Sequence, residues 1–455
     1  MRGGRSLLVL IVLALGLGAY IYFVESERDL TDPATRRDKV FTVESARIEE
    51  VEIRSAAGEV TRLRKSGDDW QIVAPVTAPA DEYSVSSLVS SIESLEIQSA
   101  LEDNPASVAQ YGLEPVRMSV AFKVAGEDTM RRLNLGTKTP TGSDMYARVE
   151  GQPRLFLVAG HLEDTFNRST FDLRDKSLLA FDRNSIDSIR IAPAAGPAVA
   201  LARSGADWRL TSPAATRADT AAVDAILNRA DQATFKAIAA GEGGPPTAAE
   251  LRKFGLDRPQ LVVDLGSGST RASIAIGGKA DDSSVYARDL SRPLVMSIDT
   301  GVLTDLNKTL DDLRVKDVFV FKPYTALGLE ITHAGNTVAF EKAKPAEGDA
   351  SAADVWRQTK PEAKDVNQTG MTDLLNTLSS LRAERFIAQP AASGEDIVVL
   401  ARSGDAAKPT EERVTLRRAG TNVHAIRPNE AGAAVLQAGD VDKAINQLKE
   451  LTGTK

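Results

Sequence analysis

The sequence predicts an α+β protein in which an N-terminal transmembrane helix precedes three tandem repeats, each an antiparallel sheet with two helices. Three observations carry this expectation. The chain has only three tryptophans, and each is followed five positions later by proline: "GDDWQIVAP" at 67–75, "GADWRLTSP" at 205–213 and "ADVWRQTKP" at 353–361. Other landmarks recur with nearly the same step. "EEVEI" (49–53) returns as "DSIRI" (187–191) and "LGLEI" (327–331), and Tyr286 lies 140 positions after Tyr146. The third observation is an uncharged, apolar-dominated stretch from Ser6 to Val24.

That stretch follows Arg2 and Arg5 and continues through Tyr20, Ile21, Tyr22 and Phe23. A helix of about 18 residues rises ~27 Å, enough for a bilayer core. A cleaved signal peptide is the competing interpretation, but its apolar region is usually about 7–15 residues long. Basic residues precede the run, and Glu25 and Glu27 are the first charges after it. Positive-inside logic then places the N-terminus in the cytoplasm of a bacterium, with the rest on the periplasmic or extracellular side of the inner membrane. Arg28, Arg36, Arg37 and Lys39 count against this orientation, although long translocated domains are less governed by such charges. Residues 1–24 are therefore expected to be a cytoplasmic N-terminus and single-pass anchor, contacting the membrane through 6–24. Residues 25–46, charged and carrying Pro33, are expected to form a stalk.

The repeats follow at 47–185, 186–325 and 326–455, the third shorter and more divergent. A period near 140 is too long for a solenoid and suggests that each copy has its own core. In each, short alternating strands lead to the tryptophan, and proline stops the strand. Asp81, Asp219 and Asp365 stand where a side chain can cap the following helix. Those helices place apolar residues at 3–4 spacing: Val85, Leu88, Val89 and Ile92; Val223, Ile226 and Leu227; Met371, Leu374, Leu375 and Leu378. Trp70, Trp208 and Trp356 thus serve as anchors between strand and helix. A second meander and a shorter helix follow, and the apolar runs 178–181 and 318–321 predict a closing strand. In "YGLEP" (111–115) and "FGLDRP" (254–259), Gly112 and Gly255 stand where a tight turn needs positive φ.

The same inventory disfavours much chemistry. Cysteine is absent, which removes thiolate nucleophiles, thiolate zinc sites and disulfides. His161, His333 and His424 are far apart, and no serine, histidine and aspartate fall into a triad pattern, so no catalytic, metal or cofactor-binding residue is assigned. A net charge of −8 without a basic face argues against nucleic acid as a partner. The glycines of "DLGSGSTRASIAIGG" (264–278) precede an alternating segment, which is the grammar of a hairpin rather than a phosphate loop. Asn167, Asn307 and Asn446 align late in the second helix, as C-terminal caps or links to a neighbouring turn. One recurring set could face a ligand or partner: Tyr146 and Arg148, Tyr286 and Arg288, with Arg174 and Arg314 in the "DLR" motif. The alternative is that these arginines pair with Asp172, Asp175, Asp312 or Asp317 at a structural junction.

Trp-x4-Pro, a capped amphipathic helix, [YF]GL[DE], YAR and LR[DV]K occur in this order, most clearly over 67–185 and 205–322. In this the chain resembles the bacterial family described as domain of unknown function 4340. The resemblance implies a single-span envelope protein whose gene neighbours ABC-type transport and gliding-motility components. It brings no active site with it. The expected function is a non-enzymatic, membrane-anchored extracytoplasmic accessory or scaffold protein with protein partners, ABC-transporter subunits among them. The alternatives are a module binding an envelope polymer such as cell-wall glycan through the Tyr/Arg faces, or a hydrolase.

Overall fold

A computed structural model describes residues 37–343 and 354–453. They form three nine-stranded antiparallel sheets, spanning 48–159, 188–299 and 326–436. In the first, the strands are β1 (Ile48–Arg54), β2 (Val60–Ser66), β3 (Asp69–Ala74), β4 (Ala78–Pro79), β5 (Ser99–Glu102), β6 (Met118–Val124), β7 (Arg131–Lys138), β8 (Asp144–Val149) and β9 (Leu155–Ala159). Their order across the sheet is β4-β3-β2-β1-β6-β7-β8-β9-β5, and the other two sheets repeat this order strand for strand. The chain divides into two compact bodies, one ending at Lys176 with the first sheet, the other Ser177–Lys455 with the second and third.

The expected α+β architecture needs correction. Each repeat is one continuous sheet, because β1 pairs along its length with β6 and joins the two local meanders edge to edge, Val51 opposite Phe122 and Ile53 opposite Val120. Helices are few and mostly short. The first repeat has Glu82–Glu93 and Leu162–Phe166, and the third has Gln368–Ser379 and Ala438–Thr452. The second has four rather than two: Thr220–Asp231, Ala248–Lys253, Thr300–Leu306 and Leu310–Leu313. The apolar run 6–24 lies outside the described residues, and among those described no helix is long and apolar enough to cross a membrane. The expected N-terminal transmembrane helix is thus not part of the described architecture.

Alternation decides which face of each sheet is wet. On β2, Thr61 and Leu63 point inward while Arg62 and Arg64 point out, and on β3 Trp70 and Ile72 are the buried pair. The helix Glu82–Glu93 lays Val85, Leu88, Val89 and Ile92 on this apolar face, in one core with Ile53, Leu63, Trp70 and Phe122. Trp70, Trp208 and Trp356 are 8%, 4% and 6% exposed. Burying a side chain of that size contributes roughly 4–6 kcal/mol of transfer free energy.

The details around the helices separate the repeats. Asp81 caps the first helix by accepting from Ser84 N at 2.7 Å, and Asp219 does the same from Ala221 N and Ala222 N. Asp365 does not cap. It pairs with Arg357 at 2.9 Å, and Asn367 takes the position, accepting from Gly370 N at 3.0 Å. Asn167 and Asn307 end their helices, and Asn167 also accepts from Ala56 N. Asn446 instead lies within Ala438–Thr452, because the third repeat extends this helix beyond the point where the others stop. The runs 178–181 and 318–321 are not strands. Val318 N donates to Leu381 O, and Val320 N and Phe321 N donate to the Glu412 carboxylate, so this backbone is satisfied without a sheet partner.

Candidate functional site

Within each repeat that carries it the recurring Tyr/Arg set is split, its tyrosine packed and its DLR arginine placed elsewhere. Tyr146 packs against Tyr111 with ring centroids 4.6 Å apart, and Tyr286 packs against Phe254 at the same 4.6 Å. In both places the aromatic before the turn glycine is the partner. Gly112 has φ +70° and Gly255 φ +68°, and a Cβ on Gly255 would stand 2.8 Å from Gly278 N. Only glycine lets this turn lie so close to the neighbouring hairpin. Arg148 and Arg288 are half-buried on the same strands as their tyrosines, opposite Asn134 and Ala275. Arg174 and Arg314 lie elsewhere and are buried, bridging in register to Ala80 and Ala218 beside the first helix of each repeat. Asp172 and Asp312, expected to pair with them, instead hold Ser169 and Thr309 in local caps.

A polar constellation of the second body joins its second and third repeats, and of its residues the sequence motifs pointed only to Arg314. The edge strand Thr216–Arg217 meets the loop that follows strand Asn422–Ile426. Glu430 accepts from Thr216 Oγ1 at 2.8 Å and from Arg217 Nε at 2.6 Å, and pairs with Arg427 at 3.2 Å. Ala431 N donates to Ala215 O at 3.0 Å, extending the contact along the backbone. Arg427 also donates to Val318 O and to Glu412, whose carboxylate holds Val320 N and Phe321 N. Arg314 donates to Ala431 O at 3.0 Å, and its guanidinium lies 3.9 Å from the Phe386 ring centroid. The signal available in sequence was a break in the repeat: the position of Arg292 is taken by Glu430.

Burial alone would push the Glu430 carboxyl upward. The charge of Arg217, hydrogen bonds from Thr216 and Arg217, and the charge of Arg427 outweigh it and hold the group below its ordinary value. Burial is also the main reason that Arg314 is pushed below the usual arginine value, with the nearby Arg217 adding to it. Glu430 is therefore held ionised in a fixed network, an arrangement suited to holding two sheets in register.

Beside the network a cleft of about 470 Å³ is lined by Trp208, Arg209, Arg217, Asp219, Val320 and Lys322, among others. Among the described residues no three histidine or carboxylate groups are placed to hold a metal.

The family of domain of unknown function DUF4340 matches at residues 70–207 and again at 208–397. The chain belongs to this family. Each DUF4340 match opens on a tryptophan of the repeating frame, Trp70 or Trp208, so the family unit is offset from the sheet it partly contains. Comparison with curated proteins and with solved structures finds no match.

Proposed function

We propose that this DUF4340 chain is a non-enzymatic accessory or scaffold protein that binds protein partners through the open faces of its sheets. The observation that carries this reading is the ion-paired outer face of each sheet. In the first, Glu50 pairs with Arg64, and Glu52 joins Arg62 and Arg132, which reaches Glu150, in a row across the strands. Arg190 and Asp264 pair on the second sheet, and Glu330 with Lys360 and Glu341 with Arg402 on the third. Broad faces with charges of both signs suit docking to a complementary protein surface, whereas small-molecule sites are concave and mostly apolar.

Two further facts weigh against the alternatives, a hydrolase and a polymer-binding module. Every carboxyl displaced from its ordinary value among the described residues is displaced downward, Asp281 to about 2 through bonds from Ser284 and Ser283. General acids and bases are tuned toward neutrality instead. The recurring tyrosines, which a polymer-binding groove would need free, are packed on Tyr111 and Phe254. ABC-transporter subunits, suggested by the family resemblance, are the partner class to test first.

The test is in-cell photocrosslinking of the full-length protein, with the probe at Arg64, Arg190 or Lys360, followed by mass spectrometry. A defined set of protein partners, lost on reversing the charges of Glu50 and Glu52 together, is the expected result. Recovery of glycan alone, or of nothing above a probe placed at the exposed Tyr83 on the helix that covers the opposite face, overturns the proposal.

A further inference from the structure

Two N–H groups of the junction between the second and third repeats have no acceptor among the described residues: Nε of Arg314 and Nη1 of Arg217. Both side chains line one cavity of about 20 Å³, together with Lys316, Asp317, Arg427 and Glu430. Arg314 is only 6% exposed. Its Nη2 is fixed on Ala431 O and its plane on Phe386, so Nε cannot turn toward solvent without breaking both contacts. Arg217 is held likewise, by Glu430 at Nε and by Asp317 O at Nη2.

A guanidinium only donates, so whatever complements these two groups must accept. Neighbouring carboxylates are already committed. Glu430 gives one oxygen to Thr216 and the other to Arg217 and Arg427, and Asp317 pairs with Arg382 at 3.1 Å. Space excludes phosphate, sulfate and any organic acid, since about 20 Å³ admits one water or one monatomic ion. Hydrogen-bonding capacity separates those two. Charge alone does not, because the lining's Arg217, Arg314, Lys316 and Arg427 face not only Asp317 and Glu430 but also Glu412, paired with Arg427 at 3.0 Å, and Asp311 near Arg314. A water in this place would accept both bonds but bring two hydrogens that need acceptors of their own, whereas a halide only accepts.

We propose that this cavity is a halide site, occupied by chloride, which accepts from Arg314 Nε and Arg217 Nη1 and completes the junction. The site is independent of the partner-binding reading above. Crystals of the full-length protein grown in bromide should show an anomalous peak between the two guanidinium groups. At constant ionic strength, replacing gluconate by chloride should raise the folding equilibrium constant of the second body, about tenfold for each tenfold rise in chloride above the dissociation constant. Hydrogen exchange within 177–455 reads this directly. Arg314→Lys should abolish the chloride dependence while an exposed control, Arg271→Gln, retains it. A water oxygen in place of bromide, or identical stability in chloride and gluconate, overturns the proposal. Both of those readouts use the unaltered protein and stand even if the lysine variant does not fold.

Discussion

The loop after strand Ser284–Asp289 in the second repeat and the loop after Asn422–Ile426 in the third occupy the same place, yet their charges are reversed. Val285 pairs with Ile298 and Val423 with Leu436, which sets Asp289 against Arg427 and Arg292 against Glu430. Each loop closes on itself by an ion pair three residues apart, Arg292 with Asp289 at 2.9 Å and Arg427 with Glu430 at 3.2 Å. From these exchanged positions each arginine donates to an equivalent carbonyl, Leu178 O or Val318 O. The exchange leaves the internal contact intact and turns a carboxylate toward Thr216 and Arg217. The corresponding edge strand of the first sheet reads Ala78–Pro79, which offers neither hydroxyl nor guanidinium. A repeat can thus keep its fold while changing what its loop can hold.

The largest effect that would test how tightly the two sheets of the second body are linked comes from its tryptophans. Trp208→Ala and Trp356→Ala should each cost roughly 3–5 kcal/mol, the range for removing a buried aromatic side chain. If the junction couples the sheets, Trp208→Ala will also speed amide exchange in the strands of 326–436. Exchange confined to 188–299 would mean that the third sheet stands without the second.

Next in size is the junction itself. Glu430→Gln leaves Arg217 and Arg427 facing a neutral group and should cost about 2–3 kcal/mol, somewhat below the roughly 3–5 of a fully buried broken pair. The sign with pH follows from the lowered carboxyl. Its contribution is complete above the ordinary value of 4.5 and is lost as pH falls through the lower folded value. The stability difference between wild type and Glu430→Gln, followed by urea unfolding, should therefore hold constant near neutrality and shrink below about pH 4.5. A difference that grew on acidification would contradict the assigned pairing.

What the sequence made legible was local. The tryptophan frame, the helical stripes and the two GL turns each need only a few neighbouring residues, and their periodicity shows directly in the chain. The β1–β6 pairing and the Glu430 cluster did not, because they depend on partners far away: Glu430 and Arg217 are 213 positions apart. The run 318–321 was apolar enough to suggest a strand, but an apolar run does not say what accepts its N–H groups. Here Glu412 does so, 91 positions on from Phe321. The Tyr/Arg set was visible as a pattern, while the fact that its tyrosines are packed was not.

The turn glycines give a third, smaller comparison. Gly255→Ala puts a side chain on a φ of +68° and against Gly278 N, so a loss of about 1–2 kcal/mol is expected. The third repeat has no such turn. There His424 Nδ1 accepts from Ala391 N, and Arg417 donates to Ala391 O. Gly394→Ala would meet Arg418 O at 2.3 Å without any demand for positive φ, which separates crowding from backbone conformation. Comparable losses at both sites would assign the glycine requirement of the GL turn mainly to space.

The smallest effect decides between two neighbouring residues. Asn367→Ala removes an N-cap and should cost about 1 kcal/mol, as Asp81→Ala and Asp219→Ala should in their repeats. Asp365→Ala removes only a solvent-exposed pair with Arg357 and should fall within about 0.5 kcal/mol. Alignment of the repeats alone assigns the cap to Asp365, whereas the backbone places it two residues later, where Asn367 reaches Gly370 N. Thermal unfolding of the two single variants separates these assignments. If Asp365→Ala proves the more damaging, the helix of the third repeat begins where the repeat pattern puts it.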